Sequence, residues 1–294
     1  MSTSFRAATL AWVALAVVVG LASQRPAHPG RVLKAEELHY TQLDKLDRNK
    51  TVFFLTFGNL EEHGPHLPIG SDLFQASAIR DGVIARLAKQ YPDYTFIAFP
   101  LLPLGEGGAN TIPLKLDFVG TYSVRLSTLR DVAIDLGSAI ARQGFRNIFV
   151  VHFHGAPLHN EALTDASAFV SQTYKVRMVN LTSLAAAKEF FDSTIMTRHL
   201  GADWQQRTGW EGHAGAAETA MNLALRPEFV RDYQSMPTVA AATVSDVYRV
   251  SKSPRWRGYW GAPALASERF GRELSEISSI VSFSWPTASL KART

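Results

Sequence analysis

The sequence predicts an α/β protein of three layers, in which helices cover both faces of a mostly parallel β-sheet. Thr51–Phe57 is rich in β-branched and aromatic residues, and Asn147–Val151 is apolar without alternation, as is typical of strands buried on both faces. Apolar residues recur at helical spacing in Leu73–Gln90, and Ser127–Gln143 is a second long helical segment. Because strand and helix alternate along the chain, a doubly wound sheet fits the pattern.

The other predicted elements continue this alternation. Ser127 is expected to cap the second helix, and Gly144 is expected to end it. The remaining predictions are a strand at Thr95–Pro100, a helix at Asn160–Gln172, a strand at Lys175–Leu181 and a helix that ends near Leu225.

The first 23 residues are expected to be a signal peptide or an N-terminal anchor outside the fold. Arg6 precedes an apolar run from Ala7 to Ala22, and Gly20-Leu21-Ala22 has the small-x-small form that precedes a cleavage site. The run is short for a spanning helix, which needs ~20 residues. We therefore expect a periplasmic or secreted protein, or one anchored to the membrane and facing away from the cytoplasm.

The rest of the chain is expected to form one domain. Residues 24–34 are interpreted as a linker, 35–281 as the domain and 282–294 as a tail. Of the 294 residues, 46% are hydrophobic and 19% are charged, which is ample for a core. The net charge of +4 comes from scattered basic residues, so no nucleic-acid partner is expected. The chain has no cysteine, which excludes disulfides and thiolate metal sites.

The loop after the first strand carries candidate metal ligands. Glu61 and His63 are two residues apart, so an extended backbone projects them to one side. Asp72 returns to the same place after the Gly/Pro-rich excursion at Gly64–Gly70. A polar surface turn is the alternative interpretation.

Two later segments add candidates to the same edge of the sheet. His154 leaves the end of a parallel strand, and Glu218 lies in the first turns of a helix behind His213. Oxygen and imidazole ligands suit Zn²⁺ or Mn²⁺. Three carboxylates and two imidazoles exceed what one tetrahedral ion needs, and they fit two ions ~3.5–4 Å apart that share a carboxylate. Taken singly, the carboxylates could be surface groups and His154 a core histidine.

Three spaced motifs resemble those of the creatininase (creatinine amidohydrolase) family. The first is Glu61-x-His63-Gly-Pro-His66-Leu-Pro-x-Gly-x-Asp72, the second His213-Ala-Gly-x-x-Glu218-Thr, and the third the segment Gly258–Phe270. The resemblance implies that Glu61 and His63 serve different metal ions and that Asp72 bridges them. It also implies that His154 and Glu218 complete the two sites and that the protein is a homo-oligomer, with a hexamer as the expected assembly.

Other residues receive supporting roles. His213 is the candidate general acid/base, because imidazole titrates near neutrality, with a helix-cap role as the alternative. His66 is expected to orient ligands, and His152 is either an extra polar contact or a rival ligand. The residues expected to contact substrate are Trp210, Glu211 and Gly155. Trp210-Glu211 approximates a Trp-Asp pair of creatininase, and Gly155-Ala156 replaces a Tyr-Glu pair. These departures argue against creatinine as the substrate.

The sequence therefore predicts a metal-dependent hydrolase that cleaves a C–N bond of a small cyclic amide, formamide or related substrate. The alternatives are a lactonase or a small peptidase on the same site, and an exported binding protein that has lost turnover. The glycine-rich segment Leu104–Asn110 is interpreted as a substrate-side loop, with phosphate binding as the alternative. Aromatic residues in irregular segments give a further hint of an interface: Phe190, Phe191, Trp204, Trp210, Tyr259 and Trp260.

Overall fold

The strands form a parallel sheet whose central members carry the candidate ligands. A computed structural model describes residues 29–181, 193–276 and 278. Within them, five strands run in the order β1-β3-β2-β4-β5, and every pairing is parallel. Their bounds are β1 Arg31–Lys34, β2 Thr51–Phe57, β3 Thr95–Ala98, β4 Asn147–His152 and β5 Arg177–Asn180. The predicted α/β class and parallel sheet are confirmed.

Helices cover both faces of this sheet. The first four are α1 Tyr40–Asp44, α2 Ser71–Gln90, α3 Leu126–Arg142 and α4 Pro157–Tyr174. The next four are α5 Ser193–Leu200, α6 Trp204–Thr208, α7 Ala216–Leu225 and α8 Val244–Ser251, and residues 268–276 are also helical. Alternate residues of β2 pack toward opposite layers: Phe53, Leu55 and Phe57 join the core beneath α3 and α4, whereas Val52 and Phe54 join the core beneath α2.

The connections place a crevice at the ends of β2 and β4. The chain leaves β2 through α2 to reach β3 on one side, and then passes through α3 to reach β4 on the other side. Phe57 and His152, the last residues of β2 and β4, are paired in register. The loops that follow them therefore emerge side by side at the point where the strand order reverses, which is where open α/β sheets bind ligands.

Two local predictions differ from the structure. Arg31–Lys34, assigned to the linker, forms the edge strand β1, whose side chains are mostly exposed and so lack a core pattern. Ser127 does not cap α3, because the helix begins one residue earlier and Arg125 precedes it without a side-chain cap. Gly144, with φ of +90°, ends that helix as predicted.

Several predictions fall on residues that the structure does not describe. The signal peptide or anchor, the tail from 282, and Phe190 and Phe191 all lie outside the described residues. Among the residues that are described, no helix combines the length and apolar character needed to cross a membrane.

Candidate metal centre

The loop between β2 and α2 folds back on itself and brings its carboxylates together. The Glu61 N–H donates to the carbonyl of Ile69 at 2.9 Å, which closes the excursion. Gly64 has φ of +63°, a conformation that glycine adopts without strain. Asp72 lies in the first turn of α2, beside Glu61 as the sequence predicts.

One ligand group consists of Glu61, Asp72 and His154, whose ligand atoms lie within 4.8 Å of one another. His154 Nδ1 is 3.0 Å from Glu61 Oε2 and 2.9 Å from Asp72 Oδ2. The other ring nitrogen, Nε2, lies 3.0 and 2.9 Å from the carbonyls of Glu106 and Gly107. Since carbonyls only accept, Nε2 carries a hydrogen, and Nδ1 is the atom that faces the carboxylates.

A second ligand group consists of His63, Asp72 and Glu218. His63 Nε2 is 3.5 Å from Asp72 Oδ1 and 3.6 Å from Glu218 Oε2. His63 Nδ1 donates to the carbonyl of Glu61 at 3.0 Å, which fixes the ring orientation. Asp72 therefore belongs to both groups and directs one oxygen toward each.

The carboxylates of the cluster favour positive charge on the histidines beside them. Burial lowers the pKa of His63, but the nearby carboxylates of Asp72 and Glu218 outweigh it and raise the pKa to about 10. Burial likewise opposes the charged form of His154, and the carboxylates of Glu61 and Asp72 raise its pKa well above the ordinary value. Burial raises the pKa of Glu218. Burial also opposes ionisation of Asp72, yet the neighbouring His154 holds its pKa below the ordinary value.

The donor set fits divalent cations. Glu61 Oε2, His63 Nε2 and Asp72 Oδ2 are buried and have no hydrogen-bond partner of good geometry among the described residues. Buried polar atoms are ordinarily hydrogen-bonded, so orphaned atoms that converge on one place indicate a missing partner. Imidazole nitrogen and carboxylate oxygen are ligands that Zn²⁺ and Mn²⁺ accept.

His213 lies against both groups. Its Nε2 donates to the carbonyl of Glu62 at 2.8 Å, and its Nδ1 is 3.5 Å from Glu61 Oε1. The ring is 4.5 Å from the ring of His63. His213 also forms a third possible ligand group with Glu61 and His63. Burial lowers the pKa of His213, but the charge of Glu61 more than compensates and raises it.

Comparison with known proteins identifies the family. The model of the creatininase family, described as creatinine amidohydrolase, matches residues 36–279. The chain belongs to the creatininase family. It is thus a hydrolase that acts on amide bonds.

Individual relatives agree with this assignment. A protein of Mycobacterium tuberculosis named mycofactocin precursor peptide peptidase is 28% identical over 206 residues, which is 68% of this chain and 69% of the relative. A structure of a mutant creatininase superposes with a TM-score of 0.66 at 18% identity, covering 89% of this chain and 100% of the other.

Two further structures are named for metals. "Creatininase Mn" has a TM-score of 0.63 at 20% identity, covering 89% of this chain and all of the other. A mutant creatininase of "Zn-Zn type" has a TM-score of 0.60 at 19% identity, covering 88% and 98% of the two chains. The structural neighbours therefore share the fold of this chain, and two of them are named for Mn and Zn.

In this creatininase-family chain, Glu62 holds the ring of His213 in place. The sequence alone did not reveal this role of Glu62. Besides its carbonyl contact, Glu62 places Oε1 3.7 Å from His213 Nε2, and that oxygen is buried. Gly258, with φ of +81°, leaves room for the carboxylate, since a Cβ there would lie only 2.1 Å from Glu62 Oε2. The backbone and the carboxylate of Glu62 thus both lie beside the same nitrogen, Nε2, of the His213 ring.

His66 and His152 lie outside the three possible ligand groups. His66 Nε2 is 3.0 Å from both the Ala214 carbonyl and Thr219 Oγ1, so it ties the first loop to α7. Burial lowers the pKa of His66 to about 4 and that of His152 to about 3, so both rings are neutral at pH 7. Because His152 lies outside the ligand groups, its placement fits an extra polar contact better than a rival metal ligand.

The three expected substrate contacts have different surroundings. Trp210 is 45% exposed and stacks on Trp260, whose ring meets His213 edge-on. A Cβ added at Gly155 would meet nothing within 4 Å, so the space beside His154 is open. Both placements suit contact with a substrate.

Glu211 does not suit that role. It is 1% exposed, and its carboxylate accepts hydrogen bonds from the backbone N–H groups of Ala216 and Ala262. It thereby joins the first residue of α7 to a distant loop. We reassign it from substrate contact to structural acceptor, because both carboxylate oxygens are occupied by backbone donors.

The glycine-rich segment holds two of the candidate ligands. The Glu106 and Gly107 carbonyls accept from His154, and the Ala109 N–H donates to Glu61 Oε1 at 2.6 Å. The segment therefore supports the ligands, a role that the sequence did not reveal, and its position beside a substrate stays a prediction. Lys115 lies over the Trp256 ring and donates to the Ser253 carbonyl, which is a structural contact.

Proposed function

We propose that this protein is a dinuclear metal-dependent amidohydrolase that cleaves a C–N bond in a small amide or short peptide. The observation that carries the proposal is the placement of Asp72. Its two oxygens lie 2.9 and 3.5 Å from histidine nitrogens of two different ligand groups. A shared carboxylate of this kind is what a pair of closely spaced ions requires.

The residues that would hold the ions divide into two sets with Asp72 in common. Glu61 and His154 belong to the first set, and His63 and Glu218 to the second. Bound Zn²⁺ or Mn²⁺ would polarise the substrate carbonyl and lower the pKa of a water. The hydrogen bonds from His63 Nδ1 and His154 Nε2 to carbonyl oxygens keep the opposite ring nitrogens directed at the carboxylates with which they would share an ion.

His213 would move the proton that the reaction requires. Its Nε2 is held by the Glu62 carbonyl, so Nδ1 is the nitrogen that faces the cluster. Nδ1 can accept a proton from the attacking water and deliver it to the leaving nitrogen of the substrate. While His213 carries this proton, the nearby Glu62 carboxylate stabilises the charged imidazolium.

Two substrate classes fit this site. Small cyclic amides and formamides are the class that the motifs favour. Short peptides are supported by the relatives named as a peptide peptidase and by the open space at Gly155. Exposed Trp210 offers either class an apolar surface next to His213.

The test is a substrate panel with metal-reconstituted protein. Cyclic amides, formamides, lactones and short peptides are assayed with the wild type and with His213→Gln. Hydrolysis of an amide or peptide that falls steeply in the variant supports the proposal. Hydrolysis of lactones alone would replace it with a lactonase, and bound metal without turnover on any class would indicate a binding protein.

Export and assembly stay proposals from the sequence and the family. We expect the first 22 residues to direct the domain out of the cytoplasm, which N-terminal sequencing of the native protein would test. A hexamer is proposed on the resemblance alone, because Trp204, Tyr259 and Trp260, expected at an interface, are buried within the chain. Light scattering on protein that begins after Ser23 would test the assembly.

A further inference from the structure

His159 is a buried histidine that the proposed mechanism does not use. It lies in the first turn of α4 and is 0% exposed. Its ring centroid is 4.8 Å from that of His152 and 5.0 Å from that of His154. Burial lowers its pKa well below the ordinary value, so the ring is neutral.

The hydrogen bonding of His159 is one-sided. Its Nδ1 accepts the backbone N–H of Glu106 at 3.1 Å, which places the ring hydrogen on Nε2. That Nε2 is buried and has no hydrogen-bond partner among the described residues. An unsatisfied buried donor destabilises the folded chain, so a purely apolar ring would suit the packing better.

The Glu106 backbone leads directly to a candidate ligand. While its N–H is held by His159, its carbonyl accepts from His154 Nε2 at 3.0 Å. The next carbonyl, Gly107, accepts from the same nitrogen and is held separately by Asn59 Nδ2 at 2.6 Å and Ser123 Oγ at 3.0 Å. Asn59 and Ser123 therefore anchor Gly107 through its carbonyl, whereas His159 anchors Glu106 through its backbone N–H.

We infer that His159 is a positioning residue: it fixes the backbone of Glu106, whose carbonyl in turn keeps His154 Nδ1 directed at Glu61 and Asp72. The inference rests on the proposed metal centre. Removing a residue that orients a metal ligand typically lowers metal affinity by about 10–100-fold. Because Gly107 stays anchored by Asn59 and Ser123, we expect an effect at the lower end, about tenfold.

Two substitutions separate positioning from packing. His159→Phe keeps a buried ring but removes the acceptor, and His159→Asn keeps a side-chain acceptor near the Nδ1 position. Ser167→Ala, on the same helix and also buried, is the matched control, since the one hydrogen bond of Ser167 Oγ within the described part of the chain goes to the Leu163 carbonyl of its own helix.

The experiment is calorimetric titration of metal-free protein with Zn²⁺. His159→Phe should weaken one of two binding steps about tenfold, while His159→Asn restores it and Ser167→Ala leaves both steps unchanged. Two unchanged steps in His159→Phe would overturn the inference. Equal weakening of both steps would also overturn it, because general damage to the fold affects both ligand groups.

A second measurement does not depend on metal. Hydrogen exchange of the Glu106 amide should be slow in the metal-free wild type and about tenfold faster in His159→Phe, with the Asn variant again close to wild type. Unchanged exchange would contradict the anchor. If the wild type binds no metal at all, the proposed function fails, and this exchange measurement still decides whether His159 holds the peptide.

Discussion

Replacing Glu211 with Gln should change how the stability of the protein depends on pH. Burial raises the pKa of Glu211 from 4.5 to about 7, although hydrogen bonds from Thr208 and from the backbone of Ala216 and Ala262 oppose the shift. A folded-state pKa above the unfolded value means that the group contributes stability below about pH 4.5. That contribution is lost as the pH rises through about 7.

The magnitude follows from the shift. At about 1.4 kcal/mol for each unit of pKa, a rise from 4.5 to about 7 corresponds to about 3 kcal/mol. Glutamine cannot ionise, so the wild type should lose about 3 kcal/mol relative to Glu211→Gln between pH 4.5 and 8. Taking the difference cancels the other titrating groups, which the two proteins share.

Urea denaturation at a series of pH values measures this difference. Glutamine also replaces one accepting oxygen with a donor opposite the Ala262 N–H, which lowers the stability of the variant at every pH without altering the slope. A difference that stays flat from pH 4.5 to 8 would refute the reasoning. An increase in KM without a change in stability would restore the role of Glu211 as a substrate contact.

Three further substitutions test the site. His213→Gln should lower kcat by about 10²–10⁴ while both metal equivalents remain, as metal analysis and steady-state kinetics would show. Gly258→Ala should cost about 1–2 kcal/mol through its φ of +81° and should also lower kcat, because the new Cβ displaces the Glu62 carboxylate that supports His213. Trp210→Ala should raise KM while leaving the thermal midpoint nearly unchanged, since the side chain is 45% exposed.

The central strands could be predicted from the sequence because both of their faces are buried. Every residue of β2 and β4 is buried, so their apolar runs have no competing interpretation. The edge strand β1 has mostly exposed side chains, and only its backbone pairing with β3 defines it. No periodicity in Arg31–Lys34 could have revealed that pairing.

The ligands could be predicted for a similar reason. Glu61 and His63 lie on one short loop that leads into α2 at Asp72, and His154 follows the end of a central strand, so local spacing and sheet topology bring them together. The supporting residues depend on contacts between distant parts of the chain. Glu62 holds a histidine 151 positions away, and His159 holds a peptide 53 positions away.

Glu211 shows how a resemblance between short motifs can mislead. The similarity of Trp210-Glu211 to a Trp-Asp pair of creatininase suggested a place beside the substrate. The donors that occupy its carboxylate come from the start of α7 and from Ala262, 51 residues further along the chain. Only the folded chain brings the second of these donors into reach.

Metal stoichiometry tests the central claim most directly. Purified protein is stripped of metal, reconstituted with Zn²⁺ or Mn²⁺, freed of excess ion and analysed for bound metal. Because Asp72 serves both ligand groups and Glu218 only one, we expect two equivalents in the wild type, one in Glu218→Ala and none in Asp72→Ala. Fewer than one equivalent in the wild type, or two equivalents retained by Asp72→Ala, would contradict the account.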